Sequence, residues 1–418
     1  MEIKLTKTGK FPAGEWDNWS IRTAVADGDF LTVTAPDGAV SVACNYTDGK
    51  LTVSLRYDWD SRPLTLISTR VKGEFAISAT PARVMLLEDG RVMDENWPIG
   101  KVCLGEAAYT ASVDAVFSDE AIHEGEFIPE TVTDIKSWKP FGGDASVGDC
   151  MPFADGDTYR LFYLLDRRHH GSKWSLGAHQ WAQISTKDFK TWTTHPLAIG
   201  IDEQWEGSIC TGSMIKVGDT YYGFYSARAD DFFRERLKPW KMSWATSKDG
   251  VHFTKSGKYF ALSDRYDPTT ERDPKVYRTD DGVFHLLVTT SLAENNLGCL
   301  AHMTSTDLEN WTEQDPFYVW DTSDQPECPD FFFYGGRYYL VFAIKGQAHW
   351  FCSNSPDGPW EAPEDNVLVG VAVPKCAEIG GRLIFTGFTP NQGYAGNFDL
   401  YEATQDENGG LVFTHLTK

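Results

Sequence analysis

One strand-like phrase occurs five times in the sequence, and this repeat constrains the fold more than any other feature. Each copy opens with a turn dipeptide, Gly-Asp, Asp-Gly or Gly-Gly, and continues into a short apolar run typical of a hairpin. The copies begin at Gly156, Gly218, Asp281, Gly335 and Gly380. A unit of this kind cannot bury its apolar face alone, so such units stack on one another. Five all-β units predict a propeller of five four-stranded blades around a central channel.

Aromatic residues accompany the repeat. In the first four copies an aromatic side chain follows shortly after an Asp, at Trp192, Phe253, Trp311 and Trp360. We interpret these as residues that pack between neighbouring blades. Other tryptophans are candidate stacking platforms for the faces of sugar rings, namely Trp138, Trp174, Trp205 and Trp240. The basic segment 167–170 is expected to be a loop at the rim of the channel.

The first part of the chain has a different pattern. Apolar and polar residues alternate over residues 31–34, 39–42 and 51–55, with Asp-Gly turns between these runs. This alternation predicts an antiparallel β-sandwich over residues 1–118. Residues 119–139 are polar and poorly periodic, and we interpret them as a linker. The predicted fold is therefore all-β, with an N-terminal β-sandwich followed by a five-bladed β-propeller over residues 140–418.

Composition and charge exclude several classes of function. The 418 residues include 38 Lys and Arg against 60 Asp and Glu, a formal net charge of −22, so the chain repels nucleic acids and anionic lipids. No apolar run approaches the ~20 residues that span a bilayer, and the first residues contain no secretory signal. The eight Cys lack metal-ligand spacing, which favours free thiols. We therefore expect a cytoplasmic protein without a metal or other cofactor.

Carboxylates precede the shared strand in three of the five copies. Alignment on the repeat places Asp149, Asp273 and Glu327 at nearly the same height of the channel wall. Acids that converge on one funnel repel one another and lose water, which pushes their pKa values apart. Cleavage of a glycosidic bond needs such a pair, one carboxyl protonated and the other ionised. Two other interpretations stay open: coincidence among many acids, and a channel site for a hard cation.

Two motifs around these acids resemble those of a known family. Arg272-Asp273-Pro274 and Glu327-Cys328-Pro329-Asp330 are similar, in order and in blade, to the Arg-Asp-Pro and Glu-Cys-Pro-Asp motifs of glycoside hydrolase family 32. The resemblance covers about residues 140 to 345. It implies a five-bladed propeller that acts with retention of anomeric configuration. Cys150 and Cys328 are interpreted as small packing residues.

The resemblance also implies roles for individual residues. Asp149 would be the nucleophile, Asp273 the transition-state stabiliser that binds ring hydroxyls, and Glu327 the acid/base. Residues expected to bind the substrate are Arg272, Trp181, Trp205, Glu206, Ser208 and Asp330. The segment from Trp205 to Ser208 stands where the family has Ser-Gly-Ser after an aromatic residue.

The chain departs from the family at several points. The family's nucleophile lies in a Trp-Met-Asn-Asp-Pro-Asn-Gly box, whereas here Asp149 follows Val147-Gly148. The family's glutamine after Leu-Phe-Tyr is Leu164, and its β-sandwich normally follows the propeller. These differences indicate a rewritten sugar pocket, in a distant branch or a sister family. Glycoside hydrolase family 43, whose members share the propeller but invert configuration, is the alternative.

The sequence thus predicts a retaining glycoside hydrolase that acts on a small fructofuranoside or a related furanoside oligosaccharide. The alternatives are an inverting family 43-like arabinosidase or xylosidase, an enzyme that transfers the glycosyl unit to a sugar, and a non-catalytic propeller that binds carbohydrate. The expected partner is a small oligosaccharide. A homodimer through the N-terminal sandwich is a further possibility that the sequence leaves open.

Overall fold

The computed structural model describes residues 1–59, 62–141, 145–167, 178–203, 205–229, 240–368, 370–391 and 393–416. Over these ranges the chain forms strands, turns and loops, and it contains no helix. Consequently, no helix in the described ranges is long and apolar enough to cross a membrane. Residues 168–170 of the predicted basic loop, and Trp174, lie outside the described residues.

Ten strands precede residue 119 and form the N-terminal sandwich. They are β1 (Glu2–Lys10), β2 (Trp19–Ala24), β3 (Gly28–Thr34), β4 (Val40–Thr47), β5 (Lys50–Leu55), β6 (Leu64–Ser68), β7 (Glu74–Ala79), β8 (Val84–Glu88), β9 (Arg91–Asn96) and β10 (Ala108–Ser118). Strand β10 pairs with β3 through its first half and with β2 through its second half. The two layers, β3-β4-β5-β6 and β2-β7-β8-β9, therefore share this strand. Alternate residues such as Val33, Val53 and Ile77 are buried in one core.

The remaining strands form five antiparallel blades. Blade I contains β11 (Thr131–Val132), β12 (Ala145–Asp155), β13 (Thr158–Arg167), β14 (Gln180–Thr186) and β15 (Trp192–Thr194). Blade II contains β16 (Glu206–Val217), β17 (Thr220–Ala229), β18 (Trp240–Ser247) and β19 (Thr254–Phe260). Blade III contains β20 (Arg272–Arg278), β21 (Phe284–Ser291), β22 (Gly298–Ser305), β23 (Thr312–Glu313) and β24 (Tyr318–Val319).

Blade IV contains β25 (Glu327–Tyr334), β26 (Arg337–Ile344), β27 (Gln347–Ser353) and β28 (Val367–Leu368). Blade V contains β29 (Ala372–Ile379), β30 (Arg382–Pro390), β31 (Gly396–Gln405) and β32 (Leu411–His415). Blade V closes the ring, because Gly396 pairs with Val147 of blade I. The predicted fold class, a sandwich followed by a five-bladed propeller, is confirmed.

The repeated aromatic residues lie in the seams between blades. The ring of Phe253 in blade II contacts Phe162 in blade I at 5.6 Å between centroids. Trp311 contacts Phe224 of the preceding blade at 5.6 Å, and Trp360 contacts Phe317 at 5.8 Å. Trp192 is buried in the core that joins blades I and V. Burial of these large rings explains how short, separate sheets hold together as one ring.

The innermost strand of every blade contains a bulge in which two residues face one on the neighbouring strand. The five residue pairs are Gly148-Asp149, Cys210-Thr211, Asp273-Pro274, Cys328-Pro329 and Val373-Pro374. Bulges bend a strand and redirect its side chains, and they are common beside active sites. We call the end of the channel at which these five strands begin the mouth; all five bulges lie near it.

The residues that follow the bulges fill the axis of the propeller. Lys375 of blade V is 2% exposed, and its Nζ donates to the carbonyl oxygen of Gly212 in blade II at 3.0 Å. Lys275 of blade III forms an ion pair with the buried Asp330 of blade IV. Asp330 also accepts the backbone N–H of Cys376 at 2.7 Å. Charged side chains from blades III, IV and V, together with a backbone carbonyl of blade II, thus close the channel beneath the bulges.

The sandwich contacts blade I on the side of the mouth. The buried carboxylate of Glu95, at the end of β9, accepts hydrogen bonds from Arg167 at 3.1 Å and Gln180 at 2.9 Å. Against the effect of burial, Arg83 and Arg167 lower the pKa of Glu95. The indole of Trp97 donates to the carbonyl of Ile201 at 3.1 Å. The sandwich therefore adds residues 95–97 to the outer wall near the mouth.

Part of the segment that we interpreted as a linker belongs to a sheet. Thr131 and Val132 pair with Thr193 and Trp192 at the outer edge of blade I. The division into residues 1–118, 119–139 and 140–418 as independent units stays a prediction.

The axial packing yields a first testable prediction. A Cβ atom on Gly212 would lie 1.8 Å from the carbonyl oxygen of Phe224, so Gly212→Ala forces the backbone of blade II apart. We expect this substitution to lower the free energy of unfolding by about 3 kcal/mol or more. Gly73→Ala is the control, because a Cβ there meets no atom within 4 Å. Urea denaturation measures both, and equal midpoints would contradict the close packing.

Candidate active site

Three carboxylates meet at the mouth, but at successive positions of the bulge. Glu327 directly precedes the bulge of its strand, Asp273 is the first bulge residue, and Asp149 is the second. The alignment had placed them at nearly the same height. It missed the offset because the strand between the bulge and the hairpin turn differs in length, covering residues 150–155 in blade I, 275–278 in blade III and 330–334 in blade IV. The stagger lets each carboxylate reach a different part of one bound molecule.

The carboxylate of Asp149 accepts hydrogen bonds from three other blades. Tyr394 of blade V donates its hydroxyl to Oδ1 at 2.8 Å. Thr211 of blade II donates its hydroxyl to Oδ2. The thiol of Cys328 in blade IV contacts the same oxygen at 3.3 Å. Donors from three neighbouring blades therefore hold this carboxylate in one orientation.

Asp273 is almost completely buried beside Asp149. Its Oδ2 accepts the backbone N–H of Cys328 at 3.0 Å, and the Nε of Arg272 lies 3.8 Å away. Within the described ranges, no group donates to its Oδ1. Burial raises the pKa of Asp273, and the charge of Asp149 adds to that effect while Arg272 opposes it. The Asp273 carboxyl therefore has an oxygen left for a ligand.

Glu327 is far more accessible than Asp273. Its side chain is 39% exposed, against 6% for that of Asp273. Arg272 donates from one terminal nitrogen to Glu327 Oε1 at 2.8 Å, and from its other terminal nitrogen to the carbonyl of Thr270 at 2.8 Å. The guanidinium thus lies between Asp273 and Glu327 and can bind either carboxylate.

The thiol of Cys328 links two of the acids. Its Sγ lies 3.3 Å from Asp149 Oδ2 and 3.5 Å from Asp273 Oδ2. Burial, together with the charges of these two carboxylates, raises the pKa of Cys328 well above its usual value, so the thiol keeps its proton. The interpretation of Cys328 as a packing residue was therefore incomplete, because a protonated thiol here donates to the carboxylates.

Three residues expected to bind the substrate are fully buried instead. Trp181 donates its indole N–H to the carbonyl of Cys210 at 2.8 Å, inside the seam between blades I and II. Ser208 accepts the backbone N–H of His179 at 3.0 Å. Glu206 accepts hydrogen bonds from Lys255 at 2.7 and 2.9 Å. These side chains support the wall behind the mouth, since each is 0% exposed.

The pKa of Glu206 also reflects the burial of its side chain. Burial raises the pKa of its carboxyl, although Lys255 opposes the shift. Its backbone partners are the N–H groups of Asp202 and Glu203, both at 3.2 Å. The carboxylate thus fixes the loop that enters blade II.

The other two candidates differ in position. Asp330 is 1% exposed and belongs to the axial ion pair with Lys275, below the mouth. Trp205 is partly exposed; its ring contacts Tyr259 at 4.9 Å, and the ammonium of Lys241 lies 5.2 Å from it. Asp330 is therefore a structural residue, whereas Trp205 is placed on the rim of blade II.

Two of the candidate stacking platforms can also be located. Trp138 stacks on Phe398 of blade V at 5.9 Å, against the core that joins blades I and V. Trp240 donates its indole N–H to the carbonyl of Thr269 at 2.9 Å, directly before Thr270, whose carbonyl accepts from Arg272.

Sequence reasoning did not find Tyr394 or Lys375. Tyr394 lies in the turn between β30 and β31, outside the repeated strand phrase, and nothing in its spacing indicates a contact with blade I. Lys375 occupies the axial position of blade V, where burial lowers the pKa of its ammonium. Within the described ranges, no group of three or more His, Cys, Asp and Glu has the arrangement of a metal site. The cations close to the three acids are Arg272 and Lys375.

Comparison with known proteins identifies the family. A family model described as the N-terminal domain of glycosyl hydrolases family 32 matches residues 151–372, more than half of the chain. The matched range includes Asp273 and Glu327 and begins just after Asp149. It ends before Tyr394.

Individual relatives agree with this match. A probable sucrose-6-phosphate hydrolase of Psychromonas ingrahamii is 30% identical over 220 residues, which are 50% of this chain and 37% of that protein. A sucrose-6-phosphate hydrolase of Escherichia coli is 27% identical over 206 residues, or 46% of this chain and 39% of that protein. The chain therefore matches about two fifths of the length of these relatives.

A solved structure supports the fold. Fructan 1-exohydrolase IIa from Cichorium intybus superposes with a TM-score of 0.56 at 18% identity, over 66% of this chain and 60% of that one. Similarity at this level of identity concerns the fold alone. Together with the family model, which covers most of the propeller and two of the three acids, it leads to one assignment: the chain belongs to glycoside hydrolase family 32.

Proposed function

We propose that this protein is a retaining glycosidase that cleaves a small fructofuranoside or a related furanoside oligosaccharide. The observation that carries the proposal is the convergence of Asp149, Asp273 and Glu327 at one mouth, each in a different electrostatic setting. A carboxylate held by three hydrogen bonds, a buried carboxyl and an accessible carboxyl can fill the roles that glycoside hydrolysis with a covalent intermediate requires.

Asp149 acts as the nucleophile in the first step. Its carboxylate attacks the anomeric carbon while the bond from that carbon to the leaving oxygen breaks. Glu327 donates its proton to the leaving oxygen, so the aglycone departs as an alcohol. Arg272 donates to Oε1 of Glu327, so Oε2 is the oxygen that carries this proton.

Water completes the reaction in the second step. Glu327, now ionised, accepts a proton from a water molecule whose oxygen attacks the anomeric carbon. The bond between that carbon and Asp149 breaks, and its electron pair returns to the carboxylate. Asp273 binds ring hydroxyls throughout, and its hydrogen bonds to them strengthen as the sugar flattens toward the oxocarbenium-like transition state.

The substrate class rests on the family and on the motifs. The two bacterial relatives are named for hydrolysis of sucrose 6-phosphate, and the plant structure for hydrolysis of fructan. We propose a fructofuranosyl donor because the Asp273 and Glu327 motifs lie inside the matched range. Transfer of the glycosyl unit to a sugar shares the first step. In the second step a sugar hydroxyl, instead of water, attacks the anomeric carbon.

The free thiols support a proposal about location. All eight cysteines are unpaired, and seven of them are buried, which suits a reducing compartment such as the cytoplasm. Dimerisation through the sandwich stays a prediction.

Hydrolysis and its stereochemistry test the proposal directly. We expect the protein to cleave sucrose, sucrose 6-phosphate or short fructans, and the first-formed fructose to keep the anomeric configuration of the substrate. Proton NMR of the fresh reaction reads the configuration before mutarotation. Asp149→Ala, the control, should abolish turnover. An inverted first product would favour a family 43-like mechanism, and sugar binding without cleavage would favour a non-catalytic propeller.

The role of Glu327 gives a separate prediction. Glu327→Gln should slow the cleavage of substrates with poor leaving groups by about 10²–10⁴-fold and that of activated aryl glycosides far less, because only poor leaving groups need the proton. Steady-state kinetics on both substrate classes measure this. Glu378→Gln removes the same charge from an exposed site on the inner strand of blade V and should change neither rate. Equal losses on both classes would remove Glu327 from the acid role.

A further inference from the structure

The residue before Asp149 differs from that in the family's nucleophile motif, the Trp-Met-Asn-Asp-Pro-Asn-Gly box. The box places an Asn directly before the nucleophile, and this chain has Gly148 there. A Cβ atom on Gly148 would lie 2.7 Å from the hydroxyl oxygen of Tyr394. The hydroxyl of a residue from the last blade thus occupies the space that a side chain at position 148 would fill.

Tyr394 meets Asp149 through two hydrogen bonds. Its hydroxyl donates to Asp149 Oδ1 at 2.8 Å and accepts the backbone N–H of Asp149 at 3.2 Å. Thr211 and Cys328 both contact the other oxygen, Oδ2. Tyr394 is therefore the donor that holds Oδ1, and it fixes the rotation of the carboxylate.

The ring of Tyr394 is held in turn. It contacts the ring of Phe388 at 5.3 Å and that of His179 at 5.2 Å. His179 Nε2 lies 2.9 Å from the buried carboxylate of Asp166. Burial alone would lower the pKa of His179, but the hydrogen bond with Asp166 raises it to about 9, so the imidazole is a cation at neutral pH. Because the ring of Tyr394 packs against Phe388 and His179, the Tyr394 hydroxyl is held in one position.

We propose that Tyr394 is a positioning residue for the nucleophile, paired with Gly148, and that it acts chiefly in the second step of the reaction. In that step the bond between the anomeric carbon and Asp149 breaks, and negative charge develops on the carboxylate. A hydroxyl already aimed at Oδ1 stabilises this charge as it forms. In the first step the same charge is lost, so the hydroxyl does not accelerate attack. This inference rests on the proposed role of Asp149.

The hydroxyl keeps its proton at the pH of the reaction. Burial, followed by the charge of Asp149, raises the pKa of Tyr394 well above its usual value. The titratable and charged groups that face Asp149 are Tyr394, Cys150, Cys328 and Asp273, with Arg272 and Lys375 opposite the acids. Tyr394→Phe removes one donor and leaves all the other groups in place.

Kinetics of Tyr394→Phe on an activated aryl fructofuranoside test the proposal. We expect kcat and KM to fall together by about tenfold, with kcat/KM at the pH optimum little changed, because the covalent intermediate accumulates. A burst of aglycone should precede the steady state.

Two further variants separate positioning from general stability. Tyr159→Phe is the matched control, because its buried hydroxyl also joins blades I and V, through Thr386 at 2.7 Å, without touching an acid. It should lower the thermal midpoint without a burst and without the joint fall of kcat and KM. Gly148→Ala should displace the Tyr394 hydroxyl and reproduce the kinetics of Tyr394→Phe. The double variant Gly148→Ala/Tyr394→Phe should resemble either single variant, because both remove the same contact.

The outcomes are distinct. Native kcat and KM in Tyr394→Phe would overturn the inference, and so would losses that Tyr159→Phe reproduces. Additive effects in the double variant would also overturn it, since the two positions would then act separately. Failure of the native enzyme to cleave any fructofuranoside, or an inverted first product, would instead overturn the proposed function, before Tyr394 is tested.

Discussion

The two-residue bulge in the innermost strand of each blade is the constraint on which the rest of this structure depends. A regular strand alternates its side chains between the two seams that flank a blade, so none of them would be aimed up toward the mouth. The bulge interrupts this alternation at one level in all five blades. In blades I, III and IV an acid lies in the bulge or directly before it. In blades II and V the bulge contains Thr211 and a Val-Pro pair.

Charge is organised in two layers along the axis. Three acids lie near the mouth, and directly below them Lys275, Asp330 and Lys375 fill the channel. Burying several like charges together is costly unless cations compensate them. The cation that such a group of oxygens would otherwise attract is supplied by Lys375 and Arg272, so the chain provides its own counter-charge.

The sequence predicted those features that repeat or that form contiguous motifs. The fold class followed from five strand phrases, and the acids from their spacing to those phrases. Trp181, Ser208 and Glu206 were assigned to the substrate because they adjoin motif positions, yet adjacency does not reveal which face of a strand a side chain occupies. Tyr394 and Lys375 could not be predicted, because their partners lie on other blades and a contact at long separation leaves no local pattern.

The seam between the first and last blades carries a consequence for folding. Asp149 and the Tyr394 hydroxyl are 245 residues apart, and they meet only where Gly396 pairs with Val147. Closing a loop of this length costs conformational entropy, so blades I and V pair late in folding, after the local hairpins have formed. A chain whose fifth blade has not docked can therefore have native strands in four blades while Asp149 still lacks its donor to Oδ1. On the proposed function, full activity follows the closing of the ring and appears after the spectroscopic signs of β-structure.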